Sequence, residues 1–136
     1  MRPSVTIGET KARTRWAGLA LACALVLGAA SPALAQTTQR SPAQRQALLD
    51  LAFVLGESHA LRQLCAGPGD QFWRGRMQQM IAAEAPDPYF DRGLRESFNR
   101  GFAAAQTAFP DCGPDSRREA AKVAARGQVL AGEVAQ

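Results

Sequence analysis

The first 35 residues read as a cleavable secretory leader, so whatever folds must be built from residues 36–136. Arg2, Lys11, Arg13 and Arg15 form a basic start, opposed only by Glu9. An apolar run of 14 residues follows, from Ala17 to Ala30. Ser31 and Pro32 break it, and Ala33-Leu34-Ala35 supplies the small-x-small pattern of a cleavage site before Gln36. A helix that spans a bilayer needs about 20 apolar residues, so a stable membrane span after cleavage is not expected. Arg13 and Arg15 are separated by Thr14, which does not make a twin-arginine signal. Cys23 lies inside the apolar run instead of at its end, with Ala20 where a bulky aliphatic would stand, so lipoprotein anchoring is not expected. The leader implies export by the general secretory route and a periplasmic location.

Removing the leader changes the electrostatics. The chain carries a formal net charge of +4, and the leader accounts for three of those four charges. The remaining chain is close to neutral, which leaves no clustered basic face for nucleic acid. Of the three cysteines, Cys23 leaves with the leader, and Cys65 and Cys112 remain as one pair in an oxidising compartment. They are far apart and not a C-x-x-C arrangement, so a structural staple is expected. In the chain-entropy account such a loop closure is worth roughly 4 kcal/mol, a large share of the net stability of a small domain.

Residues 36–40 are polar and are expected to form a disordered N-terminal stretch. Residues 41–136 read as one all-α domain, a compact four-helix array with short loops and one disulfide. Ser41-Pro42-Ala43-Gln44 combines an N-cap, a proline at the first helical position and a glutamine three residues after the cap. The helix it opens runs to about Cys65, and Gly67-Pro68-Gly69 ends it. Leu48–Leu55 is so apolar that protein should surround it. Asp70 is expected to cap a second helix ending near Ala85, with the stripe Trp73, Met77, Met80 and Ile81. Asp87-Pro88 opens a third, to about Ala108, that buries Phe90, Leu94, Phe98, Gly101 and Ala105 and exposes Arg92, Arg95, Glu96 and Asn99. Phe109 to Pro114 is a turn, and Ser116-Arg117-Arg118-Glu119 reads as the capping box of the last helix. That helix is expected to bury Ala120, Val123, Ala124, Gly127, Leu130 and Val134, small residues that imply close approach to a neighbour.

Several runs of uncommon residues stand out: Leu55-Gly56-Glu57-Ser58-His59-Ala60-Leu61-Arg62-Gln63-Leu64-Cys65, Trp73-Arg74 with Met77, Phe98-Asn99-Arg100-Gly101-Phe102, and Cys112. Together they resemble an uncharacterised family of small exported proteobacterial proteins, classed as a domain of unknown function. The resemblance covers about residues 45–130. It implies an exported helical domain with a paired cysteine, and it brings no activity and no functional residue.

Chemistry is sparsely signalled. With one histidine, a zinc site would have to be made mostly of carboxylates, and neither a metal nor a cofactor is expected. Ser58 adjoins His59, but neighbours in sequence do not face each other on a helix, so no nucleophile–base pair is indicated. Gly67-Pro68-Gly69-Asp70 could hold an anion at a helix start, though a C-cap followed by an N-cap explains it better. Trp73 and Phe90 are expected in the core, while Phe72 and Tyr89 fall off the main stripes and are candidates for a partner surface. His59 and Arg62 continue the apolar stripe of the first helix, and Glu84 continues that of the second. Charges on core-facing stripes need partners, so Glu84 is expected to pair with Arg62 or His59. His59, Arg62, Glu84, Phe72 and Tyr89 are thus the binding candidates, and no catalytic residue is assigned. The expected function is an exported helical binding or structural module of the cell envelope, engaging an envelope protein or peptide. An acid-stress periplasmic chaperone and a small hydrolase or lyase are the alternatives.

Overall fold

The computed structural model describes residues 40–136. The leader, Cys23 and residues 36–39, with the expectations attached to them, lie outside the described residues. Among those described there are four helices and no strand: α1 (Pro42–Ala66), α2 (Phe72–Glu84), α3 (Pro88–Ala108) and α4 (Pro114–Val134). Prolines open three of them at positions whose N–H groups would be orphaned anyway. At the head of α1 the Gln44 N–H donates to Ser41 Oγ at 3.2 Å and the Ser41 N–H donates to Gln44 Oε1 at 2.9 Å, closing the capping box. Gly67, at φ 99°, turns the chain out of α1.

Two helix starts differ from expectation. Gln71 is the N-cap of α2, and Asp70 stands one residue outside, where its Oδ1 accepts from the Phe72 N–H at 3.1 Å. The last helix begins at Pro114, ahead of the capping box read at Ser116. Ser116 is buried inside the first turn, where its hydroxyl accepts from the Gly113 N–H at 2.9 Å. A proline is pre-set for the first helical position, and Ser116 then satisfies the cap from within.

α1 is the axis of the domain, with all three other helices packed against it. This explains why its apolar residues are not confined to one stripe: Leu48, Ala52 and Leu55 face Met77 of α2 and Phe90, Leu94 and Phe98 of α3. Val54, Ala60 and Leu61 meet Ala105 of α3 and Val123 of α4 in a second cluster. Fully burying each large apolar side chain is worth about 1.5–3 kcal/mol. The closest approach is between α1 and α3. A Cβ on Gly56 would lie 2.0 Å from the Phe98 carbonyl oxygen, and one on Gly101 would lie 2.0 Å from that of Phe53. The two backbones are in direct contact, which only glycine at both positions permits. Cys65 and Cys112 are bonded with Cα atoms 5.1 Å apart, stapling the end of α1 to the turn before α4.

Candidate functional site

α2 and α4 both pack on α1 but do not approach each other, and the space between them is a groove with α1 as its floor. One half is a largely apolar cavity of about 370 Å³ over Leu51, Leu55 and Ser58, walled by Trp73 and Met80 of α2 and by Ala124, Gly127 and Ala131 of α4. The other half, about 460 Å³, lies over Leu61 and Arg62 and is walled by Trp73, Arg117, Ala120 and Ala124. Ser58, Trp73 and Ala124 line both halves, which makes the groove continuous. It stays open because the α4 wall is built of small side chains. Gly127 does meet α1 closely, its Cβ position being 3.2 Å from Val54 Cγ1, but Ala124 is exposed where burial was expected.

Three arginines line the groove, and none of its described lining residues is a carboxylate. Arg62 Nε donates to Asp70 Oδ2 at 2.8 Å, and its guanidinium lies 4.8 Å over the Phe72 ring. Arg76 approaches the same ring at 5.3 Å and donates to Gln79 Oε1. Arg117 reaches only the Cys112 sulfur, at 3.8 Å. The hydrogen bond from Arg62, with that from the Phe72 N–H, holds the Asp70 carboxyl below the usual range.

Arg40 closes one end. Its Nε and Nη2 donate to the two Glu84 carboxylate oxygens at 2.8 and 2.7 Å, and its Nη1 donates to the Val134 carbonyl at 2.8 Å. One guanidinium thereby ties the last residue of α2 to the last of α4. Arg40 was read from the sequence as the end of a disordered stretch, and it is instead part of the fold. It is also the partner of Glu84, in place of Arg62 or His59. The expected pairing fails because Glu84 ends α2 beside the start of α1, whereas Arg62 and His59 lie toward the other end of α1.

The candidate residues therefore separate. Arg62 and Phe72 come together at the groove, where Phe72 is 45% exposed and packs edge-on against Trp73 at 5.0 Å. Tyr89 is 83% exposed at the start of α3, away from the groove. His59 is wholly buried on the opposite side of α1, against α3. Trp73, expected in the core, is a half-buried wall. Arg76 and Arg117 were not singled out, and their i,i+3 distance from Trp73 and proximity to Cys112 in sequence were the available signals. Elsewhere, burial raises the Glu57 carboxyl while Arg126, its hydrogen-bond partner, opposes the rise.

No curated protein and no solved structure matches this chain. A family model described as "Protein of unknown function (DUF2385)" matches residues 43–136, which takes in all four helices but the first residue of α1. The disulfide-stapled array and its groove thus lie within the matched region, and the chain belongs to the DUF2385 family.

Proposed function

We propose that this protein is an exported binding module of the cell envelope whose α2–α4 groove takes an amphipathic peptide segment with one apolar face and acidic flanks. The observation that carries the reading is the lining of the groove: Leu51, Leu55, Trp73 and Met80 offer apolar contact, beside three arginines and no carboxylate. An apolar trough beside Arg76 and Arg117, neither paired with a carboxylate among the described residues, suits a helix laid in lengthwise, its apolar side chains down and its carboxylates against those guanidinium groups. A hydrolase or lyase would call for convergent carboxylates, and this lining offers none.

Trp73 is the sole tryptophan of residues 36–136, so its emission reports on the groove directly. Titrating the mature protein with a synthetic Leu/Glu amphipathic helix should give a saturable emission shift, and the matching Leu/Lys peptide should not. Arg76→Glu and Arg117→Glu should each weaken binding about tenfold, the equivalent of 1.4 kcal/mol. Equal response to both peptides, or to neither, overturns the reading. Export is checked separately, by finding a mature N-terminus at Gln36 in the periplasmic fraction.

A further inference from the structure

The chain's single histidine plays no part in the groove. His59 is 0% exposed, and neither ring nitrogen has a hydrogen-bond partner among the described residues. Its ring lies between two phenyl rings of α3, 5.7 Å from that of Phe98 and 5.4 Å from that of Phe102. Phe98 and Phe102 flank Gly101, and His59 follows Gly56 by one turn of α1. The imidazole is therefore held at the seam where the two backbones touch. Unpaired buried polar atoms are rare and unfavourable, and a leucine would fill this space without the penalty.

We propose that His59 is an acid-operated latch on the α1–α3 seam. In mildly acidic solution it takes a proton from solvent, and the resulting cation cannot remain between Phe98 and Phe102. The seam then parts and presents the apolar faces of both helices. The proposal stands whatever occupies the groove.

The charges that act on His59 come from two places. Arg74 of α2 opposes a second cation, and Asp70, in the turn between α1 and α2, favours one; α3 and α4 contribute no charge that shifts it. Loss of water on burial dominates and, with Arg74, pushes the imidazole below its ordinary value, Asp70 offsetting part. Cation–π attraction from the two phenyl rings offsets a further part of the lost hydration, not all of it. Because the folded form binds its proton at lower pH than the unfolded chain, stability is intact above about pH 6.5 and falls as pH drops from there toward the folded value. Asp70, Asp87 and Asp91 are held low, so their acid losses come below about pH 4 and do not overlap this window. The disulfide joins the end of α1 to the chain beyond α3, so an opened seam remains tethered and can close again.

The test uses the mature, oxidised protein at pH 7, 6 and 5, with thermal melts and binding of an apolar fluorescent dye. The wild type should lose roughly 5–10 °C of Tm per pH unit below 6.5 and bind dye several-fold more strongly by pH 5, reversibly. His59→Leu should lose no stability and gain no dye binding over this range, keeping only the rise on acidification that Glu57 gives because burial raises its carboxyl. Should that variant not fold, NMR of wild-type His59 decides: protonation must coincide with loss of exchange protection at the α1 and α3 amides. Equal acid loss in wild type and His59→Leu overturns the latch. So does a wild type unchanged from pH 7 to 5, or a His59 that titrates near 6.5 with the seam still protected.

Discussion

Adding one methyl group at Gly56 probes the contact on which the fold turns. The added Cβ would lie 2.0 Å from the Phe98 carbonyl oxygen, whereas ordinary contact begins at 3.4 Å. The obstacle is backbone in the middle of a helix, so no side chain can swing aside, and α1 and α3 must separate by about 1 Å or more. A gap of that size forfeits a quarter to a half of the dispersion attraction of the atoms facing it. The atoms concerned belong to Leu48, Ala52, Leu55, Leu94 and Phe98. Against this, alanine gains about 1 kcal/mol over glycine as a helix former. Overpacking of this kind typically costs 1–3 kcal/mol and more where backbone is the obstacle. We expect Gly56→Ala to be destabilised by about 2–4 kcal/mol net, a fall in Tm of about 4–8 °C for each kcal/mol. Gly75→Ala is the control: nothing lies within 4 Å of its added Cβ, so it should gain about 0.5–1 kcal/mol. Gly101→Ala should resemble Gly56→Ala, and the double variant should lose less than the sum, because one separation relieves both clashes. Denaturant and thermal unfolding of the four variants provide the readout. A Gly56→Ala protein as stable as Gly75→Ala would refute the close crossing itself.

Two further perturbations address the ends of the groove. Arg40→Ala removes a pair whose side chains are 35% and 12% exposed, so a loss of about 1 kcal/mol is expected, smaller in high salt. Hydrogen exchange should quicken in the last turn of α4, where Arg40 holds the Val134 carbonyl; an unchanged last turn would count against the clamp. Reducing Cys65–Cys112, which closes a separation of 47 residues, should lower stability by roughly 4 kcal/mol, measured by denaturant melts with and without reductant. A reduced protein as stable as the oxidised one would show the staple to be dispensable.

Helix number, the Asp87 cap of α3 and the Cys65–Cys112 bond were all legible along the chain, because caps, prolines and a lone cysteine pair act locally or by elimination. Two helix starts slipped, because Pro114 and Ser116 both suit a helix start, and only the packing of the turn before α4 decides between them. The charged residues were harder. Glu84 reads from the sequence as needing a partner, but Arg62 and His59 satisfy a stripe argument equally well. Periodicity says which face a side chain occupies and nothing about which end of a neighbouring helix lies opposite. Arg40, outside every periodic segment, left no signal at all.

The groove shows the same division. Its walls are visible as an Ala- and Gly-rich face on α4 and the apolar stripe Trp73, Met77, Met80 and Ile81 on α2, each of which reads as a buried surface. That they face one another across open space follows from both being docked on α1 without meeting. The sequence by itself determined that four helices lie within residues 42–134 and where most of them begin and end, since these follow from backbone conformation and local hydrogen bonding, and which cysteines join, since only one pair remains. Only the tertiary structure decided that Gly56 meets the α3 backbone at Phe98 and Gly101 the α1 backbone at Phe53, that Arg40 finds Glu84, and that His59 is buried between Phe98 and Phe102 with no hydrogen-bond partner among the described residues. Each depends on how rigid helices cross, and crossing geometry is set by side chains from distant parts of the chain fitting together in three dimensions.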